Sequence, residues 1–315
     1  MKTKHNSAFT ALRRDRQNLL VHPPQWLCYG GWAAALVGAL AVTTPTLRAQ
    51  EPAEAVKGAA EVAPADNAAE LAKKLQNPIA SLISVPIQNN FDFGAGPNGD
   101  GFQYLVRIQP VIPVSLSKDW NLISRTILPV IYQEKIIPET HNGMVDYNAS
   151  QSGLGDTIQN LFFSPAKPMF GGWIWGAGPV FQLPTATDRL LGQGQWCAGP
   201  TAVVLKQEHG FTLGMLVNQF WSFAGWGDKS VNYTFLQPFL SYTLKTHTTF
   251  AVNTESVYNW EDPQWTVPVN LSVKQLVKIG KQPVQFEFGG RYYAEKPDNG
   301  PEWGLRFTVT LLFPK

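Results

Sequence analysis

Apolar and polar positions alternate most strictly over residues 303–313. The odd positions of this stretch are Trp, Leu, Phe, Val, Leu and Phe, whereas its even positions are Gly, Arg, Thr, Thr and Leu. A period of two places the two sets on opposite faces of a β-strand, so one face is apolar along its whole length. The length also suits a tilted strand that crosses a membrane. The stretch therefore predicts either a membrane-barrel strand or the last strand of a soluble sandwich.

The same alternation recurs along most of the chain, in segments separated by clusters of Gly, Pro, Asn and Asp. The regular segments are 83–93, 102–116, 173–183, 211–223, 248–260, 265–277 and 284–293. Less regular segments are 120–133, 157–164, 195–206 and 231–244. With residues 303–313 they number about twelve, and a barrel with both ends on one side of the membrane needs an even number. The pattern predicts an all-β fold: a transmembrane, up-and-down antiparallel β-barrel of about twelve strands, with a short N-terminal helix.

The connections between these segments alternate in length. Short ones occupy 117–119, 207–210, 245–247 and 278–282, and long ones occupy 134–155, 184–194 and 295–302. Short turns at the periplasmic rim and long loops outside are typical of outer-membrane barrels. A soluble periplasmic β-protein is the architectural alternative, but a soluble sandwich gives no reason for short and long connections to alternate.

Prolines inside the segments complicate the strand register. Each one removes a donor from a ladder that has no free edge in a closed barrel. We expect them at bulges, at strand ends or beside water in the lumen. They are Pro86, Pro110, Pro113, Pro129, Pro179, Pro200, Pro238 and Pro268.

Trp and Tyr concentrate where the segments begin or end, and this placement predicts two aromatic girdles at the membrane interfaces. The set is Trp120, Tyr132, Trp173, Trp175, Trp196, Trp221, Trp226, Trp260, Trp265, Tyr292, Tyr293 and Trp303.

The first 78 residues precede the alternating region and divide into two parts. Residues 1–49 have a basic lead and an apolar run at 26–42, so they predict a signal peptide cleaved near Ala41 or Ala49; an uncleaved signal anchor is the alternative. Residues 50–78 predict a periplasmic linker whose residues 67–77 form a short helix, lying either against the rim or inside the lumen. The barrel is expected over residues 79–315.

Composition excludes several other functions. The chain is 15% charged with a net charge of +2 and no run of Lys or Arg, so no nucleic-acid partner is expected. Its two cysteines include Cys28 in the export segment, which leaves Cys197 and no disulfide framework. Metal and phosphate motifs are missing from the sequence, so no cofactor or metal is expected. No His lies in a predicted barrel strand, so we expect no Ser–His hydrolase and no enzyme.

Seven charged residues fall on the faces that would point into the lumen. Because their signs are mixed, they predict either a paired network that braces the interior or a lining that sets the selectivity of a narrow pore, and both readings are compatible. Arg306 is expected near Glu287 on the neighbouring strand. The seven are Arg107, Arg125, Glu255, Lys274, Glu287, Arg291 and Arg306.

Several short motifs, in this order, resemble the bacterial family named for the meta-cleavage pathway of phenol degradation. The resemblance spans residues 71–315 and implies an outer-membrane barrel with a role in transport. The motifs occupy residues 71–78, 82–86, 153–156, 176–179, 183–185, 237–239, 303–306 and 312–314.

Together these features predict an outer-membrane channel or uptake protein that passes small, apolar or aromatic molecules by passive diffusion. Outer-membrane lipid, a small-molecule solute and the outer-membrane assembly machinery are its expected partners. One alternative is a structural or adhesive barrel with a binding loop at 134–155. A barrel-embedded hydrolase is a further alternative, which the positions of the histidines disfavour.

Overall fold

The structure is a computed structural model, and it describes residues 65–141, 144–227 and 229–314. The expected signal peptide lies outside these residues. The described chain forms α1 (Ala65–Leu75), β1 (Ile83–Ala95), β2 (Gly101–Ile108), β3 (Val111–Ser115), β4 (Trp120–Glu134), β5 (Glu139–His141), β6 (Met144–Asp146), β7 (Ser150–Leu154), β8 (Thr157–Pro165), β9 (Trp173–Leu183), β10 (Gln195–Glu208), β11 (Phe211–Gly225), β12 (Asn232–Thr243), β13 (Thr248–Thr254), β14 (Ser256–Asn259), β15 (Gln264–Ile279), β16 (Gln282–Glu295) and β17 (Trp303–Phe313).

These strands build a closed antiparallel barrel of twelve strands, and the predicted fold class is confirmed. Neighbours in the barrel follow the order of the chain, and β1 pairs with β17 to close it. Three barrel strands consist of two segments each, namely β2 with β3, β7 with β8, and β13 with β14. The short strands β5 and β6 form a separate hairpin in the loop between β4 and β7.

The fourth barrel strand starts earlier than the sequence pattern indicated. Ser150–Leu154 pairs with β4, although these residues were expected in a loop. The ladder breaks at residues 155–156, where the Gly155 N–H donates to the Pro129 carbonyl at 3.0 Å. This irregularity hides the period of two, because the alternation is interrupted within a single strand.

Breaks in the ladders accommodate several strand prolines. Pro110 lies between β2 and β3, and Pro268 lies at the register shift between β15 and β16. Pro179 and Pro200 face each other across β9 and β10. Beside these prolines, the pairing of β9 with β8 and of β10 with β11 is interrupted. The two prolines, which lack a backbone N–H, therefore lie where the ladder does not require one.

The outer surface carries the apolar belt of a membrane protein. Leu271, near the middle of β15, is 64% exposed, as expected for a side chain that faces lipid. Aromatic side chains surround the rim of long loops at Trp196, Trp221, Trp260, Trp265, Tyr292 and Trp303, and the opposite rim at Trp120, Trp173, Phe211, Tyr242 and Phe313.

Tyr293 is the exception among the predicted girdle aromatics, because it points into the barrel. The Arg291 guanidinium lies 5.4 Å from the centroid of its ring. Among the described residues, no helix is long and apolar enough to cross a bilayer.

Residues 65–82, here called the plug, lie across the barrel mouth at the short-turn rim. Leu71 and Leu75 of α1 pack with Leu276 and Leu312 on the inner wall. Further in, Ile79 is buried in an apolar cluster of inward-facing strand residues. On the exposed side of α1, Glu70 lies 2.7 Å from Lys74, and their hydrogen bond lowers the pKa of Glu70. The helix therefore lies at the rim with Leu71 and Leu75 towards the lumen, and the residues after it, including Ile79, enter the lumen.

Two substitutions on the outward face of β15 test the membrane depth of this strand. Leu271→Arg should destabilise the barrel by about 2–4 kcal/mol, because it places a charge at the bilayer midplane. Ile279→Arg, on the same face near the rim, should cost about 0–1 kcal/mol. Urea unfolding in lipid vesicles measures both values. Equal effects would contradict the assigned depth.

Candidate lumen site

A single carboxylate organises the charges inside the barrel. Glu255 lies between β13 and β14, where the ladder breaks opposite the Pro268 bulge. Its Oε2 accepts hydrogen bonds from Arg107 Nη1 and Arg291 Nη2, each at 2.9 Å. Its Oε1 lies 2.9 Å from Arg306 Nη2. Three guanidinium groups thus converge on one carboxylate. Its single negative charge neutralises only one of their three positive charges.

This ion cluster crosses the lumen and joins strands on nearly opposite sides of the barrel. Arg107 is on β2, and four strands (β1, β17, β16 and β15) separate it from Glu255. On the side of Arg291, Asp92 of β1 provides a second carboxylate, with its Oδ2 3.2 Å from Arg291 Nη1. Arg291 and Arg306 are each only 3% exposed, so the cluster depends on these partners for solvation.

A chain of amide side chains extends the cluster along the inner surface. Arg306 Nε donates to Asn90 Oδ1 at 2.9 Å, and Gln88 Nε2 donates to the same atom at 3.2 Å. Gln109 Nε2 donates to Gln88 Oε1 at 3.0 Å. Arg125 Nη2 then donates to Gln109 Oε1 at 2.7 Å. These hydrogen bonds fix the positions of the charged groups across β17, β1 and β4.

The seven predicted lumen residues occupy two levels. Arg107, Glu255, Arg291 and Arg306 form the ion cluster, whereas Lys274 and Glu287 make a separate pair at 3.8 Å. Arg306 forms its ion pair with Glu255, and Glu287, near which it was expected, also interacts with it electrostatically. Gly289 is its direct neighbour on β16 and leaves room for the side chain to extend across the lumen. Arg125 has no carboxylate within ion-pair distance in the described part of the chain.

Sequence reasoning left Asp92 out of the charged set. It shares the inward face of β1 with Gln88 and Asn90, so the same period of two would have included it.

Sequence reasoning also missed an apolar wall on one side of the lumen. Inward side chains of β8 to β12 form most of two buried clusters, and Phe235 joins the clusters by packing against both. In the upper cluster the Phe220 and Tyr233 rings stack with centroids 4.5 Å apart. The apolar wall consists of Ile158, Phe162, Val180, Val203, Leu205, Leu216, Phe220, Tyr233, Phe235 and Phe239.

The inward faces of β1, β2 and β15 to β17, which carry Asp92, Arg107, Lys274, Arg291 and Arg306, are here called the charged wall. Two cavities lie one above the other between the charged wall and the apolar wall. The central cavity has a volume of about 400 Å³ and contains the ion cluster. The lower cavity, of about 200 Å³, has the plug as part of its lining. The two cavities share seven lining residues, which are here called the waist. They are Gln88, Gln109, Arg125, Gln237, Asn253, Lys274 and Glu287.

The similarity of this chain to known proteins is a similarity of fold alone. No protein-family model and no curated protein matches the chain. An outer membrane channel from Pseudomonas putida F1 is similar in structure, with a TM-score of 0.56 and 15% identity over 74% of this chain and 96% of that one. Outer membrane phospholipase A from Escherichia coli has a TM-score of 0.42 and 12% identity over 78% of this chain and 98% of that one.

The chain is an outer-membrane β-barrel. The closed barrel and its apolar outer belt support this location, and the fold shared with the Pseudomonas putida channel agrees with it. Its short-turn rim is therefore the periplasmic rim. Membership of the family named for phenol degradation stays a prediction.

Neutralising the central carboxylate should destabilise the barrel. Glu255→Gln leaves three guanidinium groups facing each other without their shared anion, so we expect a loss of about 3–5 kcal/mol in the free energy of unfolding. Urea unfolding in vesicles measures it. Glu302→Gln is the matched control, because Glu302 is exposed and lies 3.7 Å from Lys296; its effect should stay below about 1 kcal/mol. Comparable losses for the two variants would exclude a bracing role for the cluster.

Proposed function

We propose that this barrel is a passive outer-membrane channel for small molecules. The observation that carries the proposal is the pair of cavities inside the lumen, which share the waist residues and run from the ion cluster to the plug. A barrel with a purely structural role would gain stability by filling this volume with side chains, because packed interiors exclude cavities.

The proposed solutes are small, with an apolar or aromatic part. A barrel of twelve strands is narrower than the water-filled porins of sixteen or eighteen strands. The apolar wall offers water few hydrogen bonds, so an apolar group displaces water from it at a gain in free energy. A ring or short hydrocarbon can therefore pass along Phe220, Phe235 and Phe239.

The charged residues have two roles in this proposal. Arg107, Arg291 and Arg306 around Glu255 brace the lumen, because they join strands on opposite sides of it. Arg125, Lys274 and Glu287 belong to the waist that lines both cavities, so a solute that passes from one cavity to the other meets them. Selectivity is assigned to this second set.

Single-channel recording and liposome swelling test the proposal through the plug. Ile79→Asp places a carboxylate in the apolar cluster that holds Ile79, so the plug should detach and conductance should rise several-fold over the unmodified chain. Ala69→Asp, on the exposed side of α1, is the matched control and should leave conductance unchanged. A reconstituted barrel that passes neither ions nor small solutes, with or without Ile79→Asp, would overturn the channel function.

An adhesive role is the second candidate, and one observation favours it. The β5–β6 hairpin and the turn after it expose Met144, Val145 and Tyr147, with Met144 73% exposed. Apolar side chains on a loop hairpin suit contact with another surface.

Replacing these three side chains with Ser separates the two functions. For an adhesive barrel, the triple variant should lose cell-to-surface attachment while its solute permeability stays the same. For a channel, neither quantity should change. Attachment of cells that express each form to a coated surface, together with liposome swelling, makes the comparison.

We assign the barrel no catalytic role. Of the histidines in the described residues, His209 and His247 lie in periplasmic turns and His141 ends β5 in the loop hairpin, so none lies on a barrel strand that would hold a Ser–His pair. Lipid hydrolysis by the purified protein would contradict this assignment.

A further inference from the structure

Arg125 differs from the other arginines of the lumen. Arg107, Arg291 and Arg306 each contact the Glu255 carboxylate, whereas Arg125 is held by the neutral Gln109 side chain at 2.7 Å. No carboxylate of the described chain pairs with it. An arginine has five N–H donors, and a single amide oxygen occupies only one of them. Several donors of Arg125 are thus free to bind an anion in the lumen.

The position of Arg125 is at the boundary between the two walls. On one side, β4 adjoins β2, which carries Arg107, and β3, and Gln109 lies in the break between these two strands. On the other side it adjoins β8, where the next inward pair above Arg125 is Ile127 with Ile158. Arg125 and these two isoleucines line the same central cavity as Phe220 and Phe235. A charged head and an apolar body can therefore be bound side by side.

The charge balance of the central cavity favours an anion. Five cations and three carboxylates line it, which leaves a formal excess of two positive charges. The cations are Arg107, Arg125, Lys274, Arg291 and Arg306, and the carboxylates are Asp92, Glu255 and Glu287. A cavity of one net sign with low-dielectric walls concentrates ions of the opposite sign.

We propose that the central cavity binds a small monocarboxylate with an apolar body, such as a single aromatic ring. The carboxylate lies on Arg125, and the ring lies on the apolar wall at Ile158, Phe220 and Phe235. This inference rests on the proposed channel function and names its class of solute. A strongly hydrated anion gains little from the apolar wall, and a neutral aromatic forms no ion pair with Arg125.

The size of the cavity agrees with such a ligand. Its volume of about 400 Å³ lies within the range of small-molecule sites, which are typically about 300–1,000 Å³. Those sites combine apolar walls with a few placed polar groups, as this cavity does.

Calorimetric titration of the purified full chain in detergent tests the proposal without requiring conduction. Benzoate should bind at least about tenfold more tightly than benzamide, its neutral counterpart, because both partners in its hydrogen bond to Arg125 are charged. Benzylammonium should not bind measurably. Acetate, which lacks the ring, should bind at least about tenfold more weakly than benzoate.

Three variants locate the site. Arg125→Gln should weaken benzoate binding about tenfold and remove its advantage over benzamide, whereas Arg125→Lys should retain a preference for the anion. Arg189→Gln removes an exposed loop charge as the matched control and should leave binding unchanged. Gel mobility before and after boiling reports whether each variant has folded. If Arg125→Gln does not fold, Phe235→Ser serves instead and should abolish the preference of benzoate over acetate.

Three results would overturn the proposal: equal affinity of benzoate and benzamide, equal effects of the Arg125→Gln and Arg189→Gln substitutions, or an unchanged benzoate preference in Phe235→Ser. Its failure differs from failure of the channel function. A barrel that conducts salt but shows no preference for benzoate loses only the proposed site. A barrel that binds benzoate but passes nothing keeps the site and loses the channel function.

Discussion

In hydrocarbon, every backbone N–H and C=O of a strand must find its partner within the protein, and the pairing of β1 with β17 meets this requirement for the whole sheet. The pairing runs from Ile83 opposite Phe313 to Phe93 opposite Trp303. It also fixes the register, because a slip by one residue would turn every side chain of a strand to the other face. Arg306 and Asp92 reach the lumen only because this register is kept.

Once the faces are fixed, burial decides how the lumen charges are arranged. A guanidinium that is 3% exposed needs an anion and hydrogen-bond acceptors nearby, and Glu255 and Asn90 provide them for Arg306. The same requirement makes Arg125 unusual, since it has an amide oxygen where the others have a carboxylate. The apolar wall beside it lowers the local dielectric constant, which strengthens any charge interaction there.

The fold could be predicted from sequence because lipid contact imposes a local signal, an apolar side chain at every second position. The less regular segments 157–164 and 195–206 belong to the apolar wall, where Phe162 and Leu205 make the inward face apolar as well. Alternation fades where both faces of a strand are apolar, as in these two segments, although 173–183 and 211–223 also contribute to the apolar wall and kept a regular pattern. The pairing of Arg306 with Glu255 was equally hidden, because it joins strands that are not neighbours.

The covalent link between α1 and the barrel has a consequence for how the mouth closes. Residues 76–82 join α1 to β1, so a detached helix stays tethered within about 25 Å of the rim. A tether of this length keeps the local concentration of the helix in the millimolar range or above. Re-closure is then a unimolecular event, and its rate does not depend on how many copies the membrane contains. The packing of Leu71 and Leu75 on Leu312 therefore closes the mouth through contacts within one chain.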